Sequence, residues 1–181
     1  EVFKPLRTER VGLYTCGPTV YDHVHIGNLR TYIFEDTLRR TLRLAGYKLK
    51  HVMNITDIED KIFTRAKDSG RSYQELTQKF EKIFLEDVKR IGINLDDSTL
   101  NRATDAIDDM KDLIKAIPNK YVADDGVYFD IAKYSTYGVF VDLDHSHKHH
   151  RINNDEYDKE HVADFALWKA AKPEEPEEVK F

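Results

Sequence analysis

Two short apolar segments separated by a helical pattern open the chain. Residues 11–15 and 48–54 are apolar and β-prone, so both segments predict strands. Between them, residues 28–45 carry apolar side chains on one side of a predicted helix: Leu29, Tyr32, Ile33, Leu38, Leu42 and Ala45. Gly46 then predicts the end of that helix. A strand, a helix and a second strand after a short return form a βαβ unit, which implies a parallel sheet with a right-handed crossover.

The same periodicity predicts further helices. Residues 58–67 have a helical pattern. Ser72 and Glu75 have the spacing of a capping box. They open a helix with an apolar stripe made of Tyr73, Leu76, Phe80, Ile83, Phe84, Val88 and Ile91. A helix over residues 102–117 carries a second stripe, made of Ala103, Ile107, Met110, Leu113, Ile114 and Ile117. Both stripes predict core packing.

The pattern changes from helical to strand-like beyond the second stripe. Residues 121–123 and 127–130 flank Asp124, Asp125 and Gly126, and this arrangement predicts a β-hairpin. Tyr134 to Val141 continue the strand-like, tyrosine-rich character. We therefore expect residues from about 95 to 165 to form an insertion in the parallel fold.

Composition narrows the class of protein. The chain has 181 residues, of which 40% are hydrophobic and 34% charged, which is typical of a globular domain. Its net charge of −5 does not favour a domain that mainly grips a phosphate backbone. Apolar runs are too short to span a bilayer, and no signal peptide opens the chain, so we expect no membrane partner. The single cysteine excludes an internal disulfide and favours a cytoplasmic location.

The candidate chemistry lies in the loop between the first strand and the first helix, Cys16-Gly17-Pro18-Thr19-Val20-Tyr21-Asp22-His23-Val24-His25-Ile26-Gly27-Asn28. A helix N-terminus favours an anion such as phosphate. Gly27 allows a ligand to approach the backbone, and His25 and Asn28, one turn apart, can contact the same phosphate. The simpler interpretation is a helix cap with incidental histidines.

Polar residues also follow the second strand, in the segment from Asn54 to Lys61. Ligands of parallel sheets gather beyond the carboxyl ends of the strands, so this segment and the first loop are predicted to share one rim. The alternative for Thr56 and Asp57 is that they cap the following helix. A histidine tract, residues 145–150, has spacing that suits a transition metal, but a solvated loop is the simpler interpretation.

Residues 16–28 closely resemble the first signature of class I aminoacyl-tRNA synthetases, in the form found in cysteinyl-tRNA synthetases. Residues 54–61 and 164–173 resemble two further segments of that family. The resemblance covers the chain from about residue 3 to 176. It implies an α/β fold, with the Rossmann-like parallel sheet of the HIGH-superfamily nucleotide-binding half and an inserted α+β connective peptide.

The resemblance also implies a division of the chain. Residues 1–94 would form the first half of the catalytic domain, residues 95–165 the connective peptide, and residues 166–181 a return segment and tail. The second half of the catalytic domain would be absent. That half carries the loop that holds pyrophosphate, the remaining zinc ligands and the helical domain that contacts tRNA, so the chain alone is expected to be inactive.

Family members activate cysteine with ATP and Mg²⁺ to give cysteinyl-adenylate, and then transfer cysteine to tRNA(Cys). By the family pattern, His25 and Asn28 are catalytic and flank the reacting phosphate, and with Gly27 they form the ATP-binding set. Gly17, Thr19 and Thr56 match positions that contact cysteine.

Zinc selects cysteine over serine in this family, because a thiolate binds Zn²⁺ far better than a hydroxyl does. The resemblance makes Cys16 one zinc ligand. The alternative for a lone cysteine is a small buried apolar residue.

Two other functions stay open. One is the related cysteine ligase of mycothiol synthesis, which aminoacylation of tRNA tested against acylation of an amino sugar would distinguish. The other is a catalytically silent paralogue that binds nucleotide or metal, which ATP and zinc titration beside an activity assay would distinguish.

Overall fold

The computed structural model describes residues 2–7, 10–136 and 164–172. Its elements are, in chain order, β1 (Arg10–Thr15), α1 (Ile26–Leu44), β2 (Lys48–Ile55), α2 (Asp60–Ser69), α3 (Tyr73–Arg90), β3 (Thr99–Arg102), α4 (Ile107–Ala116), β4 (Lys120–Ala123), β5 (Gly126–Phe129) and β6 (Phe165–Lys169). Short 3-10 helices span Thr104–Ala106 and Ile131–Lys133. The chain divides into two compact units, Glu1–Ala106 and Ile107–Phe181.

A parallel sheet with the strand order β1-β2-β3 is the frame of the first unit. Thr15 pairs with Met53 between β1 and β2, and Val52 pairs with Thr99 between β2 and β3. The helix α1 connects β1 to β2, so the predicted βαβ unit is confirmed. All three strands run in the same direction, so their carboxyl ends lie at one edge of the sheet.

The core of the first unit is built mainly from β2, α2 and α3. Its buried members are Val20, Tyr32, Met53, Ile55, Ile62, Ala66, Leu76, Phe80, Phe84, Val88 and Ile93. The predicted capping box of α3 is present, since Ser72 Oγ accepts from the backbone N–H of Glu75 and the Glu75 carboxylate accepts from the N–H of Ser72. The predicted stripe of α3 is buried over most of its length, and only Ile91 at its end is exposed.

The buried face of α1 is charged, which the apolar pattern does not predict. Tyr32, Asp36 and Arg39 are buried, whereas Ile33 and Leu38 are exposed. Arg39 donates to the Asp36 carboxylate at 3.3 Å and to the Asp97 carboxylate at 2.8 Å. Ion pairs to the segment after α3 therefore hold α1 in place, and they override the apolar stripe.

The helix predicted over residues 102–117 is wrong at its start. Thr99–Arg102 is the strand β3, and α4 begins only at Ile107. Arg102 is the one residue of the predicted helix that belongs to this strand, which forms by pairing with the edge of β2. Leu113, a member of the predicted stripe, is 64% exposed. The predicted domain boundary at residue 94 stays a prediction, and β3 belongs to the parallel sheet.

The second unit contains α4 and an antiparallel sheet with the strand order β4-β5-β6. The predicted hairpin is confirmed, since Lys120 pairs with Phe129 and Ala123 with Gly126. The strand β6, predicted as part of a return segment, pairs with β5. The histidine tract at 145–150, residues 137–141 of the strand-like stretch and the tail from residue 173 lie outside the described residues.

None of the helices in the described ranges combines the length and apolar composition that a bilayer-spanning helix needs.

Candidate active site at the ends of the parallel strands

Backbone hydrogen bonds continue the pairing of β1 and β2 beyond the ends of both strands. The N–H of Thr56 donates to the Pro18 carbonyl at 2.9 Å, and the N–H of Val20 donates to the Thr56 carbonyl at 3.0 Å. Thr19 and Thr56 form an isolated parallel bridge. The two predicted polar segments therefore lie side by side on one rim, as the βαβ arrangement implied.

At Gly17 the two segments lie so close together that there is no room for a Cβ atom. A Cβ atom at this position would lie 1.7 Å from the backbone oxygen of Asn54. The Gly17 N–H donates to Asn54 Oδ1 at 3.1 Å. No side chain fits here without moving one segment away from the other, so the glycine sets the shape of the rim.

Asn54 is a residue at this rim to which the sequence assigned no role. Its Oδ1 accepts from Gly17 N–H and also from the Tyr14 hydroxyl at 3.0 Å. Its Nδ2 donates to Thr56 Oγ1 at 3.1 Å. The signals in the sequence were its place at the end of a predicted strand and at the start of segment 54–61, which resembles the synthetase family.

The alternative interpretation, in which Thr56 and Asp57 cap α2, is wrong. The N-cap of α2 is Glu59, and it makes no side-chain capping bond. The Asp57 carboxylate instead accepts from the backbone N–H of Thr104 at 3.0 Å and from its hydroxyl at 2.5 Å. Asp57 therefore ties the end of β2 to the segment that follows β3.

His25 is the N-cap of α1. Its Nδ1 accepts from the Gly27 N–H at 3.0 Å, and Asn28 Oδ1 accepts from the His25 N–H at 3.2 Å. A backbone N–H can only donate, so Nδ1 carries no proton and the neutral imidazole holds its proton on Nε2. Gly27 leaves room for the ring, because a Cβ there would lie 2.9 Å from His25 Cε1.

The helix-cap and phosphate-site interpretations of this loop are therefore compatible. The cap uses Nδ1 of His25, and Nε2–H remains the donor of an exposed side chain. Capping also fixes the direction of the ring, so this donor is already oriented before any ligand arrives.

Four predicted site residues line one cleft of about 280 Å³: Gly17, Thr19, His25 and Asn28. The remaining lining is Pro18, Tyr21, Asp22, His23, Val24, Glu59 and Lys61. Glu59 and Lys61, which the sequence did not single out, bring the start of α2 to the cleft beside the start of α1. The predicted residues Cys16 and Gly27 are adjacent to lining residues in the chain, and Thr56 is bridged to the lining residue Thr19, but none of the three lines the cleft.

Cys16, the predicted zinc ligand, is exposed at the end of β1. It is therefore not the small buried apolar residue that was the alternative. Partial burial of the Tyr14 hydroxyl, and next the charge of Cys16, raise the pKa of Tyr14. Within residues 2–7, 10–136 and 164–172, no three His, Cys, Asp or Glu side chains come together in a metal-binding group.

A second groove of about 460 Å³ lies elsewhere in the first unit. It is lined by Asp57, Tyr73, Gln74, Thr77, Gln78, Glu81, Arg102, Thr104 and Asp105. Arg102 donates to both carboxylate oxygens of the buried Glu81, at 2.6 and 2.8 Å. None of the predicted site residues lines this groove, so the sequence-based assignment concerns the first cleft alone.

Comparison with known families agrees with the resemblance of the loop. A sequence profile of the family described as tRNA synthetases class I (C) catalytic domain matches residues 2–180. The chain belongs to this family. The predicted membership is thereby confirmed over nearly the whole sequence.

Curated relatives carry the name cysteine–tRNA ligase. The Koribacter versatilis protein is 48% identical over 97% of this chain, and the Thermococcus kodakarensis protein is 46% identical over 97%. The Brachyspira hyodysenteriae protein is 44% identical over 94%. This chain spans 36 to 38% of the length of these relatives.

A solved structure of a Campylobacter jejuni protein, provisionally described as an arginyl-tRNA synthetase, has a similar fold. The TM-score is 0.54 at 15% identity, and the match covers 72% of this chain and 40% of the other. At this identity the likeness concerns the fold alone. It agrees with the α/β fold, built on a Rossmann-like parallel sheet, that the sequence predicts.

Proposed function

We propose that the protein containing this chain is a cysteine–tRNA ligase. It joins cysteine to ATP, giving cysteinyl-adenylate and pyrophosphate, and then transfers cysteine to the 3′ end of tRNA(Cys). Membership of the family and the names of the relatives support this assignment. The observation that carries it is the cleft in which the capped start of α1 stands beside the ends of β1 and β2.

In the first step, a cysteine carboxylate oxygen bonds to the α-phosphorus of ATP while the bond from that phosphorus to the pyrophosphate oxygen breaks. Negative charge grows on the phosphoryl oxygens, so donors already aimed at them lower the barrier. His25 Nε2–H is one such donor, and the start of α1 adds its unpaired N–H groups. Asn28 holds the His25 backbone and faces the same cleft.

ATP enters this cleft as its Mg²⁺ complex. His25 and Asn28 line the phosphate side of the cleft, and Gly27 lies beside the His25 ring. Gly27 has no Cβ, and this leaves room for the imidazole ring of His25 that caps the helix. Cysteine lies against Gly17, Thr19 and Thr56, where the two strand ends are bridged.

The described residues supply only part of a zinc-binding site. Cys16 supplies one exposed sulfur, and the described part of the chain brings no group of three ligands together. Cys16 would therefore hold Zn²⁺ with donors from elsewhere in the protein. The metal would supply selectivity for thiol over hydroxyl.

The net charge of the chain also agrees with a function that needs other parts of the protein. A net charge of −5 gives little general attraction for RNA, so we propose that tRNA(Cys) is gripped mainly by other parts of the protein. We also propose that the protein acts in the cytoplasm, where protein synthesis uses its product.

The test is cysteine-dependent exchange of pyrophosphate into ATP by the complete gene product. His25→Ala removes the donor and the cap, whereas His25→Asn keeps a capping acceptor without the Nε2–H donor. We expect both variants to lose activity by about 10²–10³-fold, the usual effect of removing one preorganised donor.

Ser72→Ala is the matched control, because Ser72 caps α3 away from the cleft. We expect it to lower the free energy of unfolding by about 1 kcal/mol and to leave exchange unchanged. Exchange by His25→Asn at the wild-type rate would contradict the role of the imidazole. A complete wild-type protein without cysteine-dependent exchange would contradict the function itself.

A further inference from the structure

We infer that Asn54 is a positioning residue of the cysteine subsite, which sets the direction in which the Thr56 hydroxyl donates. This inference rests on the proposed function and adds a residue to which the sequence pattern assigns no role. It starts from the three hydrogen bonds that the Asn54 carboxamide makes across the rim.

The chemistry of its neighbours fixes the orientation of the carboxamide. The Gly17 backbone N–H can only donate, so the Asn54 atom 3.1 Å away must be the oxygen. The Tyr14 hydroxyl, at 3.0 Å, donates to the same oxygen. The nitrogen therefore faces Thr56.

This orientation decides what the Thr56 hydroxyl can do. Asn54 Nδ2 is only a donor, so Thr56 Oγ1 accepts from it at 3.1 Å. The hydroxyl proton of Thr56 must then point away from Asn54. Thr56 is thereby preset as a donor for a ligand acceptor, as a cysteine carboxylate or thiolate requires.

Tyr14 strengthens this arrangement. Its hydroxyl donates to Asn54 Oδ1 at 3.0 Å and so helps to hold the carboxamide oxygen on the side away from Thr56. One carboxamide thus connects the end of β1, next to the predicted zinc ligand, to the threonine on the segment after β2. Asn54 therefore contacts both segments of the proposed cysteine subsite, through Tyr14 and Gly17 on one side and Thr56 on the other.

Asn54→Asp tests the direction of the bond. An aspartate keeps an oxygen for Gly17 and Tyr14 but presents a second oxygen to Thr56, so the Thr56 hydroxyl turns to donate to it. In ATP–pyrophosphate exchange by the complete protein, we expect the KM for cysteine to rise about tenfold, the effect of losing one hydrogen bond. We expect the KM for ATP to stay within about twofold, because the phosphate side of the cleft is untouched.

Asn101→Asp is the matched control, since Asn101 is exposed and pairs with Asn54 in the sheet register. We expect it to leave the KM for cysteine unchanged. A thermal melt of each variant shows whether the change reflects loss of folding, which would lower the amount of active enzyme without a selective change in the KM for cysteine.

A double-mutant cycle keeps the inference testable if one variant folds poorly. Thr56→Val should raise the KM for cysteine about as much as Asn54→Asp, and Thr56→Ser, which keeps the hydroxyl, should not. In a Thr56→Val background, Asn54→Asp should add less than about twofold. A full further tenfold rise, or an active Asn54→Asp enzyme with an unchanged KM for cysteine, would overturn this inference alone. An inactive wild-type protein would overturn the proposed function as well.

Discussion

The two sheets of this chain use polar side chains in different ways. At the ends of the parallel strands, polar groups line a cleft or support groups that line it. In the antiparallel sheet, carboxylates accept hydrogen bonds from side chains of the same unit. Asp164 accepts from the Tyr121 hydroxyl at 2.9 Å, and Asp125 accepts from the Tyr128 hydroxyl at 2.7 Å. Parallel strands end together at one edge, which leaves their terminal groups available to a ligand. Variants at the ends of the parallel strands should therefore affect exchange activity, and those in the second unit should affect stability alone.

Gly17→Ala is expected to have the largest effect. Its Cβ would lie 1.7 Å from the Asn54 backbone oxygen, so the bridge between the two rim segments must open. We expect the free energy of unfolding to fall by about 3 kcal/mol or more, measured by urea denaturation of the 181-residue chain. Exchange activity of the complete protein should be lost as well.

Gly12→Ala is the control on the same strand, because nothing lies within 4 Å of a Cβ at that position. It should change the free energy of unfolding by no more than about 0.5 kcal/mol. Equal effects at positions 12 and 17 would show that the close approach at the rim does not matter. The contrast between the ends of the parallel strands and the antiparallel sheet would then lose its best support.

His51 gives the second prediction, which concerns pH. The side chain is 1% exposed and lies between the hydroxyls of Thr15, at 2.9 Å, and Ser98, at 2.7 Å. Burial, and next the charge of Arg39, lower the pKa of His51 to about 4. The unfolded chain takes up a proton near pH 6.5, whereas the folded chain takes it up only near pH 4.

Stability from His51 is therefore complete above about pH 6.5 and is lost as pH falls towards 4. The shift of about 2.5 pH units corresponds to a loss of about 3 kcal/mol. We expect His51→Gln to lack this part of the pH dependence in urea denaturation between pH 7 and 4. Parallel stability curves for the wild type and the variant would show that the buried imidazole does not resist protonation.

The elements that could be predicted from sequence are those whose own side chains carry a clear period. The helix α3 and the hairpin of β4 and β5 are examples, since each has local apolar spacing and a recognisable cap or turn. The strand β3 could not be predicted, because Leu100 is its only apolar residue and its pairing depends on β2. The charged face of α1 was missed for the same reason, since Asp97 lies 58 positions beyond Arg39.

The candidate site divides in the same way. The sequence predicted His25 and Asn28 from their place at the start of a helix, and Gly17 and Thr19 from the family resemblance. All four line one cleft. Asn54 was missed because its role depends on contacts with Gly17, 37 positions earlier, and with Tyr14, 40 positions earlier. Sequence patterns therefore identify loops that carry chemistry, while the supporting contacts between distant segments require the structure.

The smallest expected effect belongs to the second unit. Burial, and next the bond to Asp164, raise the pKa of Tyr121 to about 12, so its hydroxyl stays a donor at neutral pH. Tyr121→Phe removes one donor from the buried Asp164, which keeps the N–H of Ile131 at 2.9 Å. We expect the free energy of unfolding to fall by about 1–2 kcal/mol, with exchange by the complete protein unchanged.

Tyr134→Phe is the control, because the Tyr134 side chain is 48% exposed. It should lower the free energy of unfolding by less than about 0.5 kcal/mol. A loss of exchange in Tyr121→Phe at unchanged stability would show that polar groups of the antiparallel sheet also take part in function.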